Sequence, residues 1–206
     1  MTTMGEMTAL LADLSGEAER QIQRPAVPQA VMEAYCRAMT SSRGRPIRLM
    51  IEEFPNGVPI SGMRLELKDD SVIIAVEKRA VPEAQLVIFG HELWHEWAGH
   101  GHCGHSLGMQ VAARGLTDDQ PPGALQQAVE QILSSAAVRR EAVRSVAARH
   151  DSPDGREEDA ETFGLLFGRA ARTLMIGPYA QGPVDAATAE ARINAALLGN
   201  RGGRIL

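Results

Sequence analysis

Apolar residues recur at helical spacing from residue 4 to 23, where Met4, Met7, Leu10, Leu11, Leu14 and Ala18 fall on one stripe. Pro25 and Pro28 break that pattern, and Pro28 suits the first turn of a second helix carrying Val31, Tyr35 and Met39. The Ser/Arg/Gly stretch from Thr40 to Pro46 then links to a different periodicity. Ile47 to Phe54 reads as a strand, closed by Pro55-Asn56-Gly57. Met63, Leu65 and Leu67 alternate with Arg64, Glu66 and Lys68, the period of a strand with one face buried and the other wet. After Asp69-Asp70, the run Ser71 to Val76 is apolar on both faces and therefore more central. Three strands in hairpin-like succession predict a small, mostly antiparallel three-stranded sheet.

Val81-Pro82 opens a helix expected from Glu83 to Gly99. Apart from its histidines and glutamates it is apolar nearly all round, so it is expected to be buried. Gly90 inside it costs about 1 kcal/mol relative to alanine and predicts the close approach of another backbone. Gly99 to Pro122 reads as a glycine-rich loop. Residues 124 to 149 read as one long amphipathic helix through Leu125, Val129, Ile132, Ala136, Val143 and Val146, with Arg139, Arg140, Arg144 and Arg149 on a solvated face. A turn at Asp151-Ser152-Pro153-Asp154-Gly155 precedes a helix from Arg156 to Met175, and a last helix, near Ala186 to Leu198, lies between Asp185 and Gly199. The fold class expected is α+β. Its organisation is N-terminal helices over residues 1–44, a core domain over 45–180, and a C-terminal helix with a frayed tail over 181–206.

Composition narrows the class. The chain has 206 residues, 44% hydrophobic and 23% charged, the mix of an ordinary globular protein with one sizeable core. A net charge of -5, with no concentrated basic surface, argues against direct nucleic-acid binding. No apolar run approaches membrane-spanning length, and the N-terminus lacks the basic start and apolar region of a secretory signal. Two cysteines, Cys36 and Cys103, imply no disulfide framework, so a reducing cytoplasm is the simplest compartment.

The chemistry gathers at His91-Glu92-Leu93-Trp94-His95. Histidines at i and i+4 fall on one helix face, so both imidazoles reach one metal ion, and the adjacent glutamate can handle a water without ligating it. A catalytic zinc needs a third protein ligand and one open position. His100, His102 and His105 follow closely, but the metzincin pattern HExxHxxGxxH would need glycine at 98 and histidine at 101, where this chain has Ala98 and Gly101. The other source is the later helix, where Glu157, Ala160, Glu161, Gly164 and Phe167 share a stripe. A carboxylate heading an otherwise small and apolar stripe points at the core, and metal coordination relieves the cost of burying it. Against this, Asp154-Gly155-Arg156-Glu157 also fits a capping box. Glu158 is the alternative ligand, and Glu161 is placed to hydrogen-bond a ligating histidine. Cys103 offers a thiolate that could bind zinc, although a bland loop cysteine is the simpler reading. Candidates for stabilising an oxyanion are His150, Tyr179 and Tyr35.

HExxH followed by Gly99-His100, and then a helix with Glu157-x-Asp159-Ala160-Glu161-x-Phe163-Gly164, resembles the ImmA/IrrE metallopeptidases, in particular actinobacterial members associated with toxin-antitoxin systems. The resemblance covers about residues 45 to 175. It implies a zincin-like fold, His91, His95 and Glu157 as ligands of one Zn2+ per chain, and Glu92 as catalytic base. It also implies an endopeptidase acting on a separately encoded protein such as a helix-turn-helix repressor. Two other readings stand beside it. One is a non-catalytic regulatory or binding module on the same fold, and the other is a metal-sensing or storage role for the histidine-rich loop.

Overall fold

The structure, a computed structural model, describes residues 4–56, 60–99, 124–135, 142–148 and 156–175. Its sheet has four strands: β1 (Ile47–Glu52), β2 (Gly62–Leu67), β3 (Val72–Glu77) and β4 (Val143–Ala148). β2 and β3 form a hairpin whose turn places Asp70 at a φ of 69°. The Asp69 carboxylate there accepts hydrogen bonds from the backbone N–H and the hydroxyl of Ser71.

The strand order is β1-β3-β2-β4, with β1 parallel to β3 and both other pairings antiparallel. This corrects the expected three-stranded, chain-order sheet in two places. β1 bypasses β2 and pairs with β3, which gives the strand with two apolar faces a neighbour on each edge. The predicted long helix over 124–149 is instead a shorter helix, α4 (Ala124–Ser135), and the edge strand β4. Every residue of β2 is buried, so its outer N–H and C=O groups need a partner strand, and β4 supplies one.

The sheet separates two apolar clusters. Ile47, Val72, Ile74 and Val76 face α1 (Met4–Gln21), α2 (Pro28–Arg43), α3 (Pro82–Trp97) and α5 (Arg156–Ala171). Met63, Leu65, Leu67, Ile73 and Ala75 face Val129, Ile132 and Leu133 of α4. The described residues therefore form an α+β protein, with five α-helices, one mixed sheet and a 3-10 turn at Arg172–Leu174. None of those helices is long and apolar enough to cross a membrane.

Proline and glycine set the helix ends much as expected. Pro28 and Pro82 stand in the first turns of α2 and α3. α2 runs further than its apolar pattern, to Arg43, where Gly44 at a φ of 72° donates its N–H to the Thr40 carbonyl. Thr40 thus belongs to the helix, and its hydroxyl accepts from the N–H of Ile47 to start β1. Of the loop expected from Gly99 to Pro122 all but Gly99 falls outside the described residues, as does the helix expected near 186–198.

Candidate metal centre

The candidate metal-binding residues lie where α3 and α5 cross. α3 is fixed to the end of β3 by Gln85, whose side-chain amide donates to the carbonyls of Glu77 and Lys78. α5 then packs on α3 with almost no space between the backbones. A Cβ on Gly90 would lie 3.0 Å from Gly164 Cα and 2.7 Å from Phe167 Cβ. A Cβ on Gly164 would lie 2.6 Å from the carbonyl oxygen of Val87. The close approach predicted from Gly90 is therefore real, and α5 is the partner. Glu157 stands in the first turn of α5, two turns before Gly164, and this crossing delivers it to the histidines.

The three donor atoms converge. His91 Nε2 and His95 Nε2 are 3.0 Å apart, Glu157 Oε2 is 3.3 Å from His91 Nε2, and Glu157 Oε1 is 3.4 Å from His95 Nε2. Four ligands at about 2.0–2.1 Å around a tetrahedral ion would themselves be about 3.3 Å apart, so this spacing fits a shared ion. A second observation agrees: Glu157 Oε2 is buried and has no hydrogen-bond partner. Its 3.3 Å contact with His91 is an ion-pair distance, and a buried carboxylate oxygen without a well-directed hydrogen bond is costly unless something else bonds it. His91, His95 and Glu157 thus form a candidate metal-binding triad. Burial pushes the Glu157 carboxyl up, but the two imidazoles beside it outweigh that and hold it at about 2, ionised as a ligand must be.

Glu92 points elsewhere. It is 3% exposed and its carboxylate lies against β2, where a Cβ on Gly62 would come within 2.7 Å of Oε1. Burial raises its pKa above the ordinary carboxylate value, against the pull of His91, His95 and Arg64.

The remaining predicted residues divide clearly. Glu158 is exposed and outside the triad. Glu161 is also exposed and lines a cavity that it shares with His91 and Glu92. Tyr35, a candidate for the oxyanion, is instead a core residue. Its ring meets Phe167 edge-on at 4.7 Å, and its hydroxyl shares a 2.7 Å hydrogen bond with Ser15. His150, Tyr179, His100, His102, Cys103 and His105 lie outside the described residues.

The sequence reading missed a buried charge network behind the site. Arg64 and Glu66, assigned to a wet strand face, are 3% and 5% exposed and face the helices. Arg64 Nη1 donates to Glu96 Oε2 at 2.8 Å, and Arg45 bridges Glu96 Oε1 at 3.3 Å and Glu66 Oε1 at 3.1 Å. The available signal was Glu96, a carboxylate one turn beyond Glu92 on a helix that its pattern requires to be buried. Arg144, expected on a solvated helix face, sits on β4 and lies 3.5 Å from Glu66.

No protein-family model, curated protein or solved structure matches the chain.

Proposed function

We propose that this chain is a metal-dependent endopeptidase, with one zinc ion held by His91, His95 and Glu157 and with Glu92 as its general base. The observation that carries the reading is the convergence, within 3.0–3.4 Å of one another, of two imidazole nitrogens and a half-buried carboxylate whose Oε2 is buried without a hydrogen bond. Two nitrogens and one carboxylate are a donor set that suits zinc and leaves a position open. When bound, zinc would supply Lewis-acid polarisation of a peptide carbonyl and a water acidified to a pKa of about 7.

The protein's own residues would do the rest. Glu92 would take a proton from the attacking water and pass it to the departing amine. Gly62 lets the backbone of β2 run directly against Glu92, which limits the movement of its carboxylate. The zincin-like architecture, and a separately encoded helix-turn-helix repressor as substrate, are part of the same proposal. They rest on the likeness of the His91–His95 and Glu157–Gly164 motifs to the ImmA/IrrE pattern.

Two variants test the reading. The wild type should bind about one zinc per chain by mass spectrometry, and Glu157→Ala should lose most of it. Glu92→Gln should keep its zinc and lose all cleavage of a protein substrate. Partner-dependent activity surviving in Glu92→Gln would replace the peptidase with the binding module, and full zinc retention in Glu157→Ala would move the third ligand elsewhere.

A further inference from the structure

We propose that the cavity beside His91 and Glu92 is a specificity pocket, taking one uncharged aliphatic or phenyl side chain next to the scissile bond. The inference rests on the peptidase reading above. The cavity measures about 250 Å³ and has His91 and Glu92 in its own wall, so a side chain inside it is held against the reacting groups. At about 30 Å³ per water-sized unit, that volume corresponds to about eight heavy atoms. Leucine, methionine and phenylalanine side chains fit that space, whereas alanine and serine leave most of it empty.

The other walls choose the chemistry. Val87 and Ile88 come from α3, Leu165 and the exposed Glu161 from α5, Gly62 from the start of β2 and Ser61 from just before it. Leu165 is 65% exposed, whereas Phe163 and Phe167 on the same helix are fully buried, so a guest covering Leu165 gains apolar contact there. Gly62 closes the cavity directly over α3, because a Cβ there would meet Ile88 Cγ2 and Glu92 Oε1, both at 2.7 Å. Ile88 and the buried Glu92 therefore adjoin Gly62 in one wall of the cavity. An acidic guest would face the carboxylates of Glu92 and Glu161, and a basic guest reaching Glu92 would pair with the group the chemistry needs unpaired. An apolar guest does neither.

The test is digestion of a randomised peptide mixture by the zinc-loaded protein, with cleavage positions read by mass spectrometry. One position flanking the cut should favour Leu, Ile, Met or Phe over Ser or Asp by at least about tenfold. Leu165→Trp, a change at an exposed position that narrows the pocket, should move the preference to Ala or Val. Cleavage with no apolar preference, or with a preference for Lys or Arg there, overturns the pocket and leaves the peptidase standing. If no peptide is cut, the peptidase reading is decided by the zinc and Glu92→Gln tests above, and calorimetry decides the pocket separately. Amino-acid hydroxamates bearing isobutyl or hydroxymethyl groups are titrated into the zinc-loaded protein. An isobutyl compound binding at least about tenfold tighter supports the pocket, and equal affinities overturn it.

Discussion

Arg64 on β2 donates to Glu96 on α3 across 2.8 Å, and both side chains are almost wholly removed from water. Each β2 position on that face meets α3 or the network behind it: Gly62 lies against Glu92, Arg64 against Glu96, and Glu66 reaches Arg45. Burying such charges is rarely the cheapest way to stabilise a core, because desolvation offsets most of the attraction. What the pair does provide is a fixed register between β2 and the helix carrying His91, Glu92 and His95. Glu96→Leu alone leaves Arg64 buried without its partner and should cost about 3–5 kcal/mol. The double variant Arg64→Met/Glu96→Leu should recover most of that loss. Urea midpoints of the three proteins check this. A double variant no more stable than the single one would mean the pair is not the source of the loss.

The crossing of α3 and α5 makes a second prediction. Gly164→Ala would place a methyl 2.6 Å from the Val87 carbonyl oxygen, a backbone atom with no rotamer to change. The helices must separate, at a cost of about 1–3 kcal/mol, and Glu157 moves away from His91 with them. Gly16→Ala is the control. Gly16 lies in α1 with nothing within 4 Å of its added methyl, so the change should stabilise by about 0.5–1 kcal/mol. Thermal denaturation should move the two variants in opposite directions, and zinc titration should weaken for Gly164→Ala alone.

How much of this was legible depended on distance along the chain. His91, Glu92 and His95 follow from one local period, whereas the stripe on the later helix left Glu157 open to a capping role with Glu158 as the alternative ligand, and only the family resemblance singled Glu157 out. Gly90 announced a close neighbour without naming it, and Gly164 proved to be that neighbour. β4 was not legible, since Val143 and Val146 are three apart and extend the helical pattern of α4. Only pairing with β2, about eighty residues earlier, makes that segment a strand. The same limit hid the meaning of Arg64 and Glu66. A period of two says that alternate residues face opposite sides, but not whether the polar side meets water or other charges.

Cys36 should be chemically silent. It is buried on α2, and burial pushes its thiol up to about 12, with Glu33 adding to the rise and Arg37 opposing it. The thiolate is the reactive form, so almost none is present near pH 8. In a Cys103→Ser background the native protein should resist a disulfide reagent such as DTNB, and denaturant should release one reactive thiol. Fast labelling of the native protein would place Cys36 in contact with solvent.

Glu77 gives the clearest pH dependence away from the candidate metal centre. Its carboxylate accepts from the backbone N–H of Phe54 at 3.1 Å and of Arg79 at 2.9 Å, and from the Arg79 guanidinium at 2.8 Å. Burial alone would raise its pKa, but the Arg79 side chain and these N–H groups together hold it below the ordinary carboxylate value. A carboxyl whose pKa is depressed by folding contributes stability above its unfolded value, and that contribution is lost as pH falls through the folded value. Glu77→Gln should therefore be less stable than wild type at about pH 7, with the gap closing below about pH 4 as the wild-type carboxyl protonates. Urea midpoints measured at both pH values read this directly. A gap that persists unchanged in acid would show that the contacts of Glu77 act through shape and not through charge.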